Sequence, residues 1–215
     1  MKHLAIICDG NRRWAKREGL PSGVGYVQGL VTIENLCLSA IERGIEYLSM
    51  FCFSTENWRR TTAEVDYIMD LARDYFLDKK EWYHDRGIKV VFRGRKDRLP
   101  ADVVESMLDV EQYTAMCGGL TLHIMADYGG RQDIVEPVKN GAESEEEITR
   151  YFLGLAPEPD AIVRTGGHRR LSNFMLWQAA YSELFFIDTL FPDFGERELD
   201  EILEKYKSTI KNYGR

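Results

Sequence analysis

An aspartate directly behind an apolar run, followed by glycine, asparagine and two arginines, has the makings of a phosphate site. That arrangement is Cys8-Asp9-Gly10-Asn11-Arg12-Arg13-Trp14-Ala15, after the strand-like run Leu4–Cys8. The Asp9 carboxylate can hold a divalent cation while loop amides and arginines face the anion which that cation bridges. Such a set suits a diphosphate carried as its magnesium complex. A plain strand-to-helix turn, with Asp9 as a cap and the arginines in solvent, would use the same residues.

Two later segments favour the first reading. Phe53-Ser54-Thr55-Glu56-Asn57-Trp58-Arg59-Arg60 offers a hydroxyl, an amide and two guanidiniums, with Thr61 or Thr62 suited to cap a helix behind it. Val163 to Phe174 interleaves Arg164, Arg169 and Arg170 with Gly166, Gly167, Thr165 and Ser172, which makes an anion nest or a solvated basic loop. Glu183 lies in a mostly apolar run and must be paired, neutralised or metal-bound. It can assist Asp9 in holding magnesium or pair with an arginine of the preceding loop. His3, His84, His123 and His168 lack metal-ligand spacing, and no hydrolase elbow, P-loop, G-x-G-x-x-G or Asp-Asp pair occurs.

These residues need a scaffold. Leu4–Cys8, Tyr47–Phe53, Ile88–Phe92, Leu120–Met125 and Ala161–Val163 read as strands, with Leu184–Ile187 a weaker one. They are near-continuous apolar runs, as in strands covered on both faces. Helical spacing marks Ala63–Arg86 and the stretch around Ile33–Ile41 before Gly44, and Ser144 with Glu147 reads as a helix start. The alternation predicts an α/β fold: an open, mainly parallel sheet with helices on both faces. Asp9, Ser54–Arg60, Asp127–Arg131 and Arg164–Ser172 each follow a strand, so all four belong on one rim, where such sheets bind ligands.

Residues 1–215 read as a single domain. A net charge of -7 argues against nucleic acid as partner, so the arginines matter by position. The four cysteines (Cys8, Cys37, Cys52, Cys117) have no ligand spacing and are expected as buried thiols in a cytoplasmic protein. The chain enters a strand at once, leaving no room for a signal peptide. No apolar run approaches the roughly 20 residues that span a bilayer, so membrane contact is expected to be peripheral at most.

The strings D-G-N-R-R-W-A from Asp9, F-S-T-E-N-W from Phe53, A-D-Y-G-G-R from Ala126, I-V-R-T-G-G from Ile162, R-L-S-N-F from Arg170 and F-P-D-F from Phe191 follow in order over nearly the whole chain. The sequence resembles the cis-prenyltransferases, makers of undecaprenyl and dehydrodolichyl diphosphate. The resemblance implies a hydrophobic tunnel enclosed by sheet and helices, a homodimer, Mg2+ as cofactor, and an allylic prenyl diphosphate and a five-carbon isoprenyl diphosphate as substrates. By it Asp9 and Glu183 hold magnesium, and Gly10, Asn11, Arg12 and Arg13 cradle the donor diphosphate with Trp14 beside the prenyl chain. Ser54, Asn57, Trp58 and Arg60 line the space between donor and acceptor, with Asn57 a candidate for moving the proton through water. Arg164, Arg170 and Ser172 bind the acceptor diphosphate. Met50, Cys52, Leu120 and Met125 are expected along the tunnel, although for each an ordinary core position is the competing reading.

The chain departs from that pattern in places. Ser22 stands where an arginine is usual and Tyr26 where a histidine is, exchanging a group that can be cationic near neutrality for a phenol. Asp127 replaces an asparagine and His168 a glutamate, and Tyr213-Gly214-Arg215 matches the usual ending only loosely. The irregular branch of the family, which makes lavandulyl-type skeletons, resembles this chain in its tyrosine. The expectation is condensation with dimethylallyl diphosphate, with Tyr26 in the proton-removal path. Ordinary Z-elongation with isopentenyl diphosphate, a non-catalytic subunit of a heteromeric enzyme, and a diphosphate-lipid binding protein are the alternatives.

Overall fold

The computed structural model describes residues 1–209. Six strands, β1 (His3–Ile7), β2 (Tyr47–Ser54), β3 (Lys89–Arg93), β4 (Thr121–Tyr128), β5 (Ala161–Arg164) and β6 (Glu183–Phe186), form one sheet in the order β3-β4-β2-β1-β5-β6. Every neighbouring pair is parallel. Around them lie α1 (Asn11–Arg17), α2 (Ser22–Glu42), α3 (Thr62–Asp85), α4 (Ala101–Tyr113), α5 (Gly130–Lys139), α6 (Glu145–Leu153) and α7 (Glu196–Ser208). Thr61 caps α3 by accepting from the Glu64 N–H, and Ser144 caps α6 by accepting from the Glu147 N–H. The weak strand expected at Leu184–Ile187 exists one residue earlier, as β6.

The two sheet faces carry unequal cores, and strand alternation decides which residue joins which. Leu4, Ile6, Leu48, Met50, Leu122 and Ile124 pack towards α2, α3, α4 and α7 in the larger core. Ala5, Ile7, Phe51, Met125 and Ile162 point the other way and meet Phe174 and Met175 of the loop after β5. Phe51 and Phe174 stack there with centroids 4.6 Å apart.

Contrary to the sequence expectation, α2 is long and apolar enough to cross a membrane by length and composition alone. Its apolar residues include Ile33, Leu36, Cys37 and Ala40, buried against the sheet, which is the pattern of a core helix. Of the four cysteines only Cys37 is fully buried; Cys8 and Cys117 are part-buried and Cys52 is exposed. Tyr213-Gly214-Arg215 lies outside the described residues.

Candidate active site

Strand order creates the site. β1 has β2 on one side and β5 on the other, so the connections from β1 and β5 part company above their carboxyl ends. A crevice opens at such a switch point. Ile7 is in register with Arg164, and Asp9 lies two residues further along. The Thr165 hydroxyl donates to the Asp9 carbonyl at 2.6 Å, and the Asp9 N–H donates to the Thr165 hydroxyl at 3.0 Å, fastening the two strand ends together.

The Asp9 carboxylate stands between two cations. One oxygen accepts from Arg13 Nη2 at 2.9 Å, the other from Arg164 Nη2 at 2.8 Å. Arg164 is buried, donates through Nη1 to the Arg170 carbonyl and the Ser172 hydroxyl, and keeps a buried Nε without a partner. Gly166 makes this approach possible. Its φ is +78°, and a Cβ there would lie 2.4 Å from Arg13 Nη2. Gly10, at φ +122°, bends the chain from β1 into α1 in a conformation that suits glycine alone.

Two open clefts meet at Asp9. The first, about 820 Å³, is lined by Asp9, Gly10, Asn11, Arg12, Arg13, Lys16, Ser22, Tyr26 and Arg60. The second, about 700 Å³, is lined by Asp9, Ser54, Glu56, Asn57, Arg60, Arg131, Arg164, His168, Arg170 and Ser172. All four rim segments thus contribute, the third through Arg131, while Asp127 lines a separate cleft with Arg95 and Lys96. Below the clefts an apolar cavity of about 100 Å³ runs between the sheet and α2, α3 and α4. Cys8, Asn11, Cys52, Phe53, Met69, Ala72, Phe76, Val103, Met107 and Ile124 are among its walls. Arginines flanking a carboxylate above an apolar hole are suited to an amphiphile with a doubly charged head.

Several predicted residues have other places. Met50 and Leu120 are closed core, and Met125 is on the opposite face of the sheet because it alternates with Ile124; of the four tunnel candidates only Cys52 reaches the cavity. Glu183 opens β6 in register with Ala161, whereas Arg164 is in register with Phe186. Three residues of strand, about 10 Å, and the width of β5 separate it from the Asp9 rim, so one chain does not bring the two carboxylates together. Trp14 turns from the clefts and donates to Asp193 at 2.8 Å, beside the bidentate Arg17–Asp193 pair. Trp58 packs edge-on against Phe53 and donates to Asp127 at 2.8 Å. Asn57 spends its carbonyl on the Ser54 N–H at 3.0 Å, leaving its NH2 rather than a basic oxygen for the cleft.

Tyr26, expected in the proton-removal path, is held from two sides. Its hydroxyl donates to Glu64 at 2.6 Å and accepts from Arg60 at 2.9 Å; burial, then the Glu64 bond, pushes the phenol up to about 12. Arg12 reaches the same carboxylate at 3.6 Å. Sequence reading missed Glu64, although Thr61-x-x-Glu64 carries a capping-box signal that draws attention to the helix start and away from the cleft. It also missed Arg98, whose guanidinium forms a bidentate pair with Asp127 and lies over the Trp58 ring. Asp127 is completely buried at φ +48°. The Asp127 carboxylate is thus matched by a cation 29 residues away in sequence.

A parallel sheet with arginine-rich clefts at its switch point and an apolar cavity beneath defines a transferase of prenyl groups when set beside known proteins. The chain belongs to the undecaprenyl diphosphate synthase family of prenyltransferases: a family model described as "Putative undecaprenyl diphosphate synthase" matches residues 7–214. Isoprenyl transferases of Aquifex pyrophilus and Chromobacterium violaceum are 41% and 43% identical over all of this chain and 96% and 88% of their own. Lavandulyl diphosphate synthase from Lavandula x intermedia, solved with dimethylallyl diphosphate, has a TM-score of 0.93 at 31% identity, covering 100% of this chain and 98% of that one. A probable undecaprenyl diphosphate synthase from Campylobacter jejuni has 0.85 at 32%, covering 100% and 99%.

Proposed function

We propose that the chain is a magnesium-dependent prenyltransferase that joins an allylic prenyl diphosphate to dimethylallyl diphosphate in a non-standard condensation. The observation that carries prenyl transfer is the position of Asp9, shared by two arginine-lined clefts above an apolar cavity. The donor diphosphate occupies the first cleft against Gly10 to Arg13, and its chain descends past Cys8 and Cys52. The acceptor diphosphate occupies the second against Arg164, Arg170 and Ser172, where the unpartnered Arg164 Nε offers one more N–H.

The residues fit magnesium in its usual protein mode, one or two carboxylates with substrate phosphates and water. Asp9, whose carboxylate lines both clefts, would be the protein ligand. Magnesium, when bound, neutralises charge growing on the departing diphosphate. Arg12 and Arg13 stabilise the same charge as the donor C–O bond breaks. The apolar cavity keeps water from the allylic cation. The acceptor double bond attacks that cation, and the released diphosphate takes the proton. Tyr26 acts by holding Arg60 and Glu64 in place, and its phenol keeps its proton.

Ser22 and Tyr26 favour the dimethylallyl acceptor, since both reshape the wall of the donor cleft. The likeness to the lavandulyl enzyme, solved in complex with dimethylallyl diphosphate, supports binding of that five-carbon diphosphate here. Ordinary Z-elongation is the second reading, favoured by the identity to isoprenyl transferases. A homodimer belongs to the proposal because β6 is an outer strand with Leu184 exposed, an edge that a second copy can cover. Free cysteines suit a reducing cytoplasm.

The test mixes purified protein and magnesium with radiolabelled five-carbon diphosphates and a panel of allylic donors. Branched products are expected. Exclusively linear Z-chains from isopentenyl diphosphate would replace the acceptor assignment; activity only with a second protein would make the chain a subunit, and binding without product a carrier.

A further inference from the structure

Cys8 and Cys52 stand where the polar clefts open into the apolar cavity. β1 and β2 run in step from His3 opposite Tyr47 to Ile7 opposite Phe51, so the next step sets Cys8 opposite Cys52. Neighbouring strands lie about 4.8 Å apart, within the roughly 4.4–6.8 Å Cα separation that a disulfide spans. Both side chains line the second cleft and the cavity. Cys52 is the exposed residue of β2, at a point where that strand shifts register against β4. The Cys8 thiol donates to the Ile6 carbonyl at 3.7 Å, and both thiols are free.

We propose that Cys8 and Cys52 form a dithiol modification site that a low-molecular-weight disulfide, such as oxidised glutathione, converts into an intramolecular bridge across the cavity mouth. The exposed Cys52 sulfur attacks one sulfur of the small disulfide and displaces one thiol. The Cys8 sulfur then attacks the mixed disulfide at Cys52 and displaces the second. Two protein S–H bonds and one small-molecule S–S bond become one protein S–S bond and two small thiols, so protons and electrons balance. The bridge fixes the end of β1 to β2 one residue before Asp9. Its effect on turnover rests on the prenyl-transfer reading; its formation does not.

The experiment incubates the full chain with oxidised glutathione, counts thiols after unfolding and maps linked peptides. Two of the four thiols should disappear, in a Cys8–Cys52 peptide that dithiothreitol reverses. Cys8→Ala should stop at a glutathione adduct on Cys52, and Cys52→Ala should leave Cys8 unmodified. Four surviving thiols, or a bridge to Cys37 or Cys117, would overturn the site. Bridged protein should turn over about 100-fold more slowly, the scale of an ångström-level misplacement; full turnover when bridged would overturn its placement at the mouth. A reduced protein inactive on every diphosphate would sink the prenyl-transfer reading alone, since the thiol count needs no substrate.

Discussion

Asp9 and Arg164 hold one another at 2.8 Å across 155 residues of sequence. The contact joins two strand ends that diverge immediately afterwards, and it makes the carboxylate a shared wall of both clefts. Because Arg164 is buried, removing the carboxylate outright would leave a charge without its partner, a costly change.

Asp9→Asn is therefore the better probe than Asp9→Ala. The amide keeps an acceptor for Arg164 but gives up most of its affinity for a cation. Turnover should fall by about 100-fold or more, with a melting temperature within a few degrees of the parent. Retained activity in a steady-state assay would remove Asp9 from the metal site.

Ser22→Arg adds a guanidinium to the wall of the first cleft. The Michaelis constant for the donor should drop several-fold, on the scale of about 1 kcal/mol for one net hydrogen bond in an open cleft, and the drop should shrink in high salt. Combined with Tyr26→His, it should shift products from branched towards linear chains, read by mass spectrometry and chromatography. An unchanged product spectrum would show that these two positions do not select the acceptor.

Asp127→Asn and Arg98→Leu test the pairing of the buried Asp127 carboxylate with the more exposed Arg98 beside Trp58. The amide offers Trp58 a weaker acceptor while the exposed Arg98 can turn to water, so unfolding free energy should fall by only about 1 kcal/mol. Urea denaturation measures it. Arg98→Leu should cost more, because it leaves the completely buried Asp127 carboxylate without its cation, and adding Asp127→Asn should recover much of that loss. Failure of the double variant to recover would mean the pair is not coupled.

Acid should weaken the fold before the carboxylates titrate. Burial lowers His3 from 6.5 to about 4, and burial followed by the nearby Arg93 charge lowers His123 to about 3. His3 bonds the Pro157 carbonyl, and Ser49 sits between the two rings. Between pH 6.5 and 4 the unfolded chain binds protons at these positions and the folded chain does not. Stability therefore rises with pH across that window and is lost as pH falls, by roughly 3 kcal/mol for His3 alone at pH 4. His3→Gln should flatten the slope in equilibrium unfolding at several pH values; an unchanged slope would mean that the imidazole is protonated in the native state.

Much of this was legible in local patterns. Apolar runs too continuous for a half-exposed sheet announced parallel strands, and residues directly behind such strands had to share a rim. That logic brought Asp9, Asn57, Arg164 and Ser172 together before any coordinates. Side-chain direction was less legible. Met125 and Ile124 look alike in sequence, yet alternate faces of one strand send Met125 away from the cavity. Trp14 is drawn to Asp193, and Tyr26 to Glu64, by partners 179 and 38 residues distant.

The linear chain by itself determined the strand-and-helix alternation, the rim and the kinds of charge placed on it, because these depend on periodicity and on residues adjacent in sequence. Only the tertiary structure decided that Glu183 stands apart from Asp9, that Asp127 answers Arg98, and that Cys8 faces Cys52. Those outcomes depend on strand order and register, which are set by the packing of the whole sheet and leave no mark in any single segment.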